Sequence, residues 1–112
     1  MENLTTQVCE ACRADAPLLT QEEITRLMPQ VQDWKLKTDD NIQKLTRTFL
    51  TKNYAQSLAL TNAVAALAEE ANHHPLIILE YGAVTVEWWS HKIKGLHKND
   101  FIMAAKTSEL FV

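Results

Sequence analysis

Two short apolar runs on either side of Tyr81-Gly82 limit this chain's fold more than any other feature. Leu76 to Glu80 is apolar and β-branched, Tyr81-Gly82 reads as a turn, and Ala83 to Trp89 resumes a strand, which predicts a β-hairpin. If Glu80 and Ala83 flank the turn, the numbers of cross-strand partners have a constant sum. His91 then falls opposite Asn72 and beside His73 and His74. A slip of one residue would move every side chain to the other face, so the register decides whether this neighbourhood forms. Three of the chain's 4 histidines meet in it. Histidine titrates near neutral pH, so the cluster points to acid–base chemistry or to a metal.

Plainer readings exist for each residue. A helix-to-strand connection alone would explain His73-His74-Pro75, because helices tend to end before proline and a histidine near a helix C-terminus favours its dipole. Glu69 lies one helical turn before His73 and can share its face, whereas Glu70 reads as a solvated charge. Three neutral imidazoles can hold zinc with one open position. Consecutive His73 and His74 point apart on regular backbone, however, and no H-E-x-x-H spacing appears. Trp88 and Trp89 are successive on a strand and face opposite sides. One belongs to the core; the other shares the parity of His91 and faces a pocket or another subunit. Tyr81 beside the turn reads as packing. Asp100, in the first turn of the last helix, reads as structural, a carboxylate favoured by the helix dipole.

The rest of the chain supplies a scaffold. Residues 1–17 lack periodicity and read as an N-terminal arm, followed by one domain over 18–112. Thr20-Gln21-Glu22-Glu23 is a capping-box signature opening a short helix with Ile24, Leu27 and Met28 on its apolar face, and Pro29 stops it. Trp34 with Leu36, and Ile42 to Leu50, read as two strands joined by the polar turn Thr38-Asp39-Asp40-Asn41. Asn53 with Gln56 opens a long helix, Tyr54 to Ala71, so rich in alanine and other apolar residues that more than one side should be covered. A last helix runs from about Asn99 to Leu110, with Asn99 or Lys98 near its start. The order α-β-β-α-β-β-α predicts an α+β fold: a four-stranded antiparallel sheet with helices packed on one face.

A length of 112 residues suits one modest core. The net charge of -3 gives no electrostatic reason to expect nucleic acid, and no apolar run nears the ~20 residues of a membrane span. The N-terminus lacks the basic and apolar regions of a signal peptide, so a cytoplasmic protein is expected. Cys9 and Cys12 form a C-x-x-C. Zinc usually takes four ligands and no second cysteine pair exists, so the reading preferred is an arm without chemistry, with metal or redox behaviour as the alternative.

Glu69-Glu70-Ala71-Asn72-His73-His74-Pro75, then Tyr81, His91 and Asp100, resembles the signature of the pterin-4a-carbinolamine dehydratases. The run Trp88-Trp89-Ser90-His91-Lys92-Ile93-Lys94-Gly95-Leu96, with Asn99 to Ala105, looks like the bacterial branch associated with phenylalanine hydroxylase. The resemblance covers roughly Leu18 to Phe111. It implies dehydration of a 4a-hydroxytetrahydropterin, with catalytic His73, His74 and His91. Glu69, Asn72, Pro75, Trp89 and Ser90 would surround the substrate. It implies no metal and no cofactor, a pterin as small-molecule partner, a homodimer or homotetramer, and a functional link to phenylalanine hydroxylase. A second reading, from another class, is a dimerisation or transcription-coactivator module without essential catalysis.

Overall fold

The structure is a computed structural model, and it describes Leu4–Thr6 and Leu18–Phe111. Cys9 and Cys12 lie outside the described residues. Leu4 starts a single 3-10 turn, Leu4–Thr6, and is buried in the core, so the expected arm is tied to the domain at that point.

Helix α1, Gln21–Leu27, opens with the expected capping box: the Thr20 side chain accepts from the Glu23 N–H and the Glu23 carboxylate accepts from the Thr20 N–H. Pro29 falls in the 3-10 turn Met28–Val31 that ends it. Strands β1, Lys35–Asp39, and β2, Ile42–Leu50, are joined by Asp40 and Asn41, both at positive φ (50° and 66°). That pair is the two-residue turn whose twist matches a hairpin, so the connection is tighter than the four-residue turn expected from composition. Helix α2, Tyr54–Ala71, begins with Asn53 accepting from the Gln56 N–H. Strands β3, Leu76–Glu80, and β4, Ala83–Trp88, follow, then helix α3, Lys98–Leu110.

The sheet is antiparallel with strand order β1-β2-β4-β3. Its register fixes two faces. Leu45 pairs with Trp88, Phe49 with Val84, and Val86 with Ile77; these side chains point into the core. Ile24 and Leu27 of α1, Leu60, Val64 and Ala68 of α2, and Phe101 to Ala105 of α3 fill the same core. The two buried tryptophans need partners for their N–H groups and find them on α3: Trp34 donates to Ser108 Oγ (2.8 Å) and Trp88 to Thr107 Oγ1 (3.1 Å). Thr46, Thr48, Thr85, Ile78 and Leu76 lie on the opposite face, away from the helices. Tyr81, expected to pack, instead has its side chain 68% exposed, while its backbone carbonyl accepts from Ser57 Oγ (3.1 Å).

Candidate active site

The site forms where α2 gives way to β3. Asn72 takes the left-handed conformation (φ 52°, ψ 42°), the His73 N–H reaches back to the Ala68 carbonyl (3.1 Å), and the Asn72 N–H reaches the Glu69 carbonyl (3.2 Å). This pair of bonds is the Schellman arrangement, and Asn tolerates its left-handed residue better than most side chains. The chain leaves the helix in a fixed direction and alternation resumes. His73 lies on the core side and His74 on the open side, as consecutive residues must on extended backbone.

His73 is 3% exposed and Asp100 is fully buried; His73 Nε2 lies 2.6 Å from Asp100 Oδ1. The imidazole also stacks on Trp88, with ring centroids 5.7 Å apart and planes 10° from parallel. Asp100 holds more than the ring. Its Oδ2 accepts from Ser90 Oγ (2.8 Å) and from the His97 backbone N–H (2.9 Å). Three donors thus converge on this one buried carboxylate. His97 serves as the N-cap of α3, whose first residue is Lys98, within the start expected at Lys98 or Asn99. The acid expected to be structural is thus bonded directly to a candidate catalytic ring. Sequence reasoning missed this because 27 positions separate the partners, and the helix dipole already accounted for a carboxylate there.

On the open side, His74 Nε2 lies 2.7 Å from Glu69 Oε1, with side chains 56% and 80% exposed. His91 Nε2 lies 2.9 Å from the His74 carbonyl oxygen. The hairpin register explains that contact: Glu80 pairs with Ala83 and Leu76 with Glu87, the constant sum expected, which carries His91 to the level of Asn72 and its neighbours. A carbonyl only accepts, so His91 Nε2 carries the hydrogen, and Nδ1 holds the free lone pair in the neutral ring. The same reasoning assigns Nε2–H to His73 and His74, each facing a carboxylate.

Asn72, His73, His74, His91 and Lys92 line one cavity of 310 Å³. The other expected site residues stand around it. Glu69 touches His74 and Ser90 touches Asp100. The Trp89 ring lies 4.4 Å from the His91 ring and under Lys44 Nζ (4.1 Å), so it packs against His91. Lys44 in turn meets Asp39, whose carboxyl is held below its usual range chiefly by the hydrogen bond from Lys37. Pro75 leads into β3 and is half-buried. Lys92 belongs to the cavity and was not expected as a site residue; its place directly after His91 was the available signal. Among the described residues no three His, Cys, Asp or Glu side chains are grouped as for a metal.

Residues 17–110 match the family model described as pterin 4 alpha carbinolamine dehydratase. A protein of Nitrosococcus oceani, provisionally named pterin-4-alpha-carbinolamine dehydratase, is 59% identical over 98% of this chain and 97% of its own. A protein of Syntrophotalea carbinolica with the same provisional name is 54% identical over 98% of each chain. The crystal structure of a transcriptional coactivator/pterin dehydratase from Brucella melitensis is similar at a TM-score of 0.76 and 25% identity, covering 86% of this chain and 100% of that one. A pterin dehydratase-like protein identified as a RuBisCO assembly factor in the α-carboxysome is similar at 0.59 and 25%, covering 70% and 88%.

Proposed function

The chain belongs to the pterin 4 alpha carbinolamine dehydratase family, and we propose that it performs the reaction this name describes. A 4a-hydroxytetrahydropterin loses its C4a hydroxyl and one ring-nitrogen proton, giving the quinonoid dihydropterin and water. The C4a–O bond breaks as the oxygen gains a proton, and the nitrogen's bonding pair becomes the new double bond. The elimination requires a proton donor at the oxygen and a base at the nitrogen. It requires no redox cofactor, metal or covalent intermediate.

The observation that carries this reading is the common bonding of three imidazoles on one cavity. Each has Nε2 on an acceptor, which leaves Nδ1 to exchange a proton with a ligand. His73 and His91 form the acid–base pair. Behind His73, Asp100 orients the ring and stabilises the imidazolium formed when it takes a proton. His74, held by Glu69, orients the pterin and assists the transfer. Asn72 borders the substrate, with Pro75, Trp89 and Ser90 supporting this wall. The reaction recycles tetrahydropterin for an aromatic amino-acid hydroxylase, phenylalanine hydroxylase being the expected source of the carbinolamine in the cytoplasm.

The test is to generate the carbinolamine in situ with such a hydroxylase and follow its decay by ultraviolet absorbance. Wild-type protein should accelerate the decay well beyond the spontaneous rate, also after exhaustive chelation. If His73→Ala and His91→Ala both stay folded by circular dichroism and keep near wild-type rates, the acid–base assignment is wrong. The interaction-module reading, which the coactivator and assembly-factor relatives favour, then gains.

A further inference from the structure

The cavity beside the histidines has a charge asymmetry that dehydration does not require. Its lining holds three imidazoles and one ammonium, with no carboxylate. The acids that touch the histidines, Glu69 and Asp100, are occupied by His74 and His73. Two lysines on the sheet are occupied: Lys37 by Glu87 and Asp39, Lys44 by Asp39 and the Trp89 ring. Lys92 and Lys94 have no hydrogen-bond or ion-pair partner among the described residues. A surface lysine without a partner is common. One that lines the candidate active site, in a chain of net charge -3, calls for an account.

The backbone that carries these two cations is held on all sides. Ser90 and Gly95 exchange backbone hydrogen bonds (2.8 and 3.4 Å), closing a turn over His91, Lys92, Ile93 and Lys94. Lys94 takes the left-handed conformation (φ 55°) that folds the chain back. Ser90 Oγ is tied to Asp100 and His91 Nε2 to the His74 carbonyl. The same carboxylate that holds His73 therefore holds the base of this turn. A ligand meeting Lys92 orders only a side chain, because its backbone is already fixed.

We propose that the pterin bound here carries an anionic group on its side chain, a phosphate or a carboxylate, and that Lys92 binds it. A neutral hydroxyalkyl chain would leave the Lys92 ammonium to water. The proposal rests on the dehydration reading and names the substrate class within it. Lys92 is exposed, so it contributes about threefold to fivefold in affinity, the size of one solvent-exposed ion pair.

A matched pair of ligands isolates the charge: 7,8-dihydroneopterin and its 3′-monophosphate, titrated calorimetrically into wild-type protein at low salt. The phosphate should bind about threefold to fivefold more tightly. That advantage should fall to about twofold or less in Lys92→Ala and in wild type at 0.5 M NaCl, where exposed charges are screened, and it should persist in Lys92→Arg. 7,8-Dihydrofolate separates the two anions: a comparable gain with it assigns the site to carboxylates as well, and its absence assigns it to phosphate. Equal affinities for the matched pair, or a preference undiminished in the folded Lys92→Ala/Lys94→Ala variant, would overturn the proposal while the dehydration reading stands. If neither corresponding carbinolamine is dehydrated faster than spontaneously, the dehydration reading falls and this proposal falls with it.

Discussion

His73 and His74 are adjacent and make the same bond, imidazole Nε2 to a carboxylate oxygen at 2.6 and 2.7 Å, in opposite surroundings. His73 and Asp100 are enclosed between Trp88 and the start of α3; His74 and Glu69 lie in water. The geometry hardly differs, so the environment alone sets what each bond does. Removing one partner of a buried hydrogen bond leaves the other unsatisfied, at a cost of about 1–3 kcal/mol for each group and more for a charged one. An exposed pair competes with water and salt and contributes about 0–1 kcal/mol. The buried pair is suited to hold one orientation, and the exposed pair to follow its ligand.

The largest expected effect tests the buried side. Asp100→Ala leaves the His73 ring, the Ser90 hydroxyl and the His97 N–H without their acceptor, and should lower stability by about 3–5 kcal/mol in urea denaturation. A loss below about 1 kcal/mol would mean that the buried pair behaves like the exposed one. His73→Ala or His91→Ala should next lower kcat by about 10²–10⁴. His74→Ala should act at least partly through KM, since an orienting group contributes to binding as well as to the transition state. A loss confined to kcat and equal to that of His73→Ala would erase the contrast. Glu69→Gln should cost less than about 1 kcal/mol of stability, and 1 M salt should remove the difference from wild type, whereas the Asp100 effect should survive that salt.

The smallest effect is a calibration at a third carboxylate. Asp39, half-exposed and bonded to Lys37, has its carboxyl held below the usual range. A depressed acid contributes stability above its unfolded value and loses it as pH falls through the folded one. Acid titration of stability in Asp39→Asn should therefore be slightly flatter than in wild type at acid pH, below the usual carboxylate range. Lys37, raised chiefly by its bond to Glu87, works in the other direction: its contribution is present below the usual lysine value and fades as pH climbs through the raised one.

The parts legible in the sequence were those set by short-range rules. The turn at Tyr81-Gly82 fixed the pairing sum and with it the meeting of His91 and His74, and the caps at Thr20 and Asn53 marked the two helix starts. Opposite faces for Trp88 and Trp89 followed from alternation; Trp88 is buried and Trp89 is half-buried against His91. Asp100 was not legible as a partner of His73, because no local pattern relates a helix N-terminus to a residue at the far end of a hairpin. Glu87 was unexpected for the same reason. It sits on the open face yet is almost fully buried, held by Thr46 on the adjacent strand β2 and by Lys37 on β1 beyond it. Tertiary packing decided both.

The left-handed residue Asn72 has a consequence for how such a chain can change. It ends the helix and starts the alternation, so it sets the phase in which every later side chain is read. Replacing either histidine alters one group. Inserting or deleting a single residue between Asn72 and Pro75 would trade inside for outside, presenting the ring meant for Asp100 to solvent and burying its neighbour without a carboxylate. Evolution or engineering can vary the side chains around this junction one at a time, but its length has to stay fixed, because a change of one residue there rewrites both sides of the site at once.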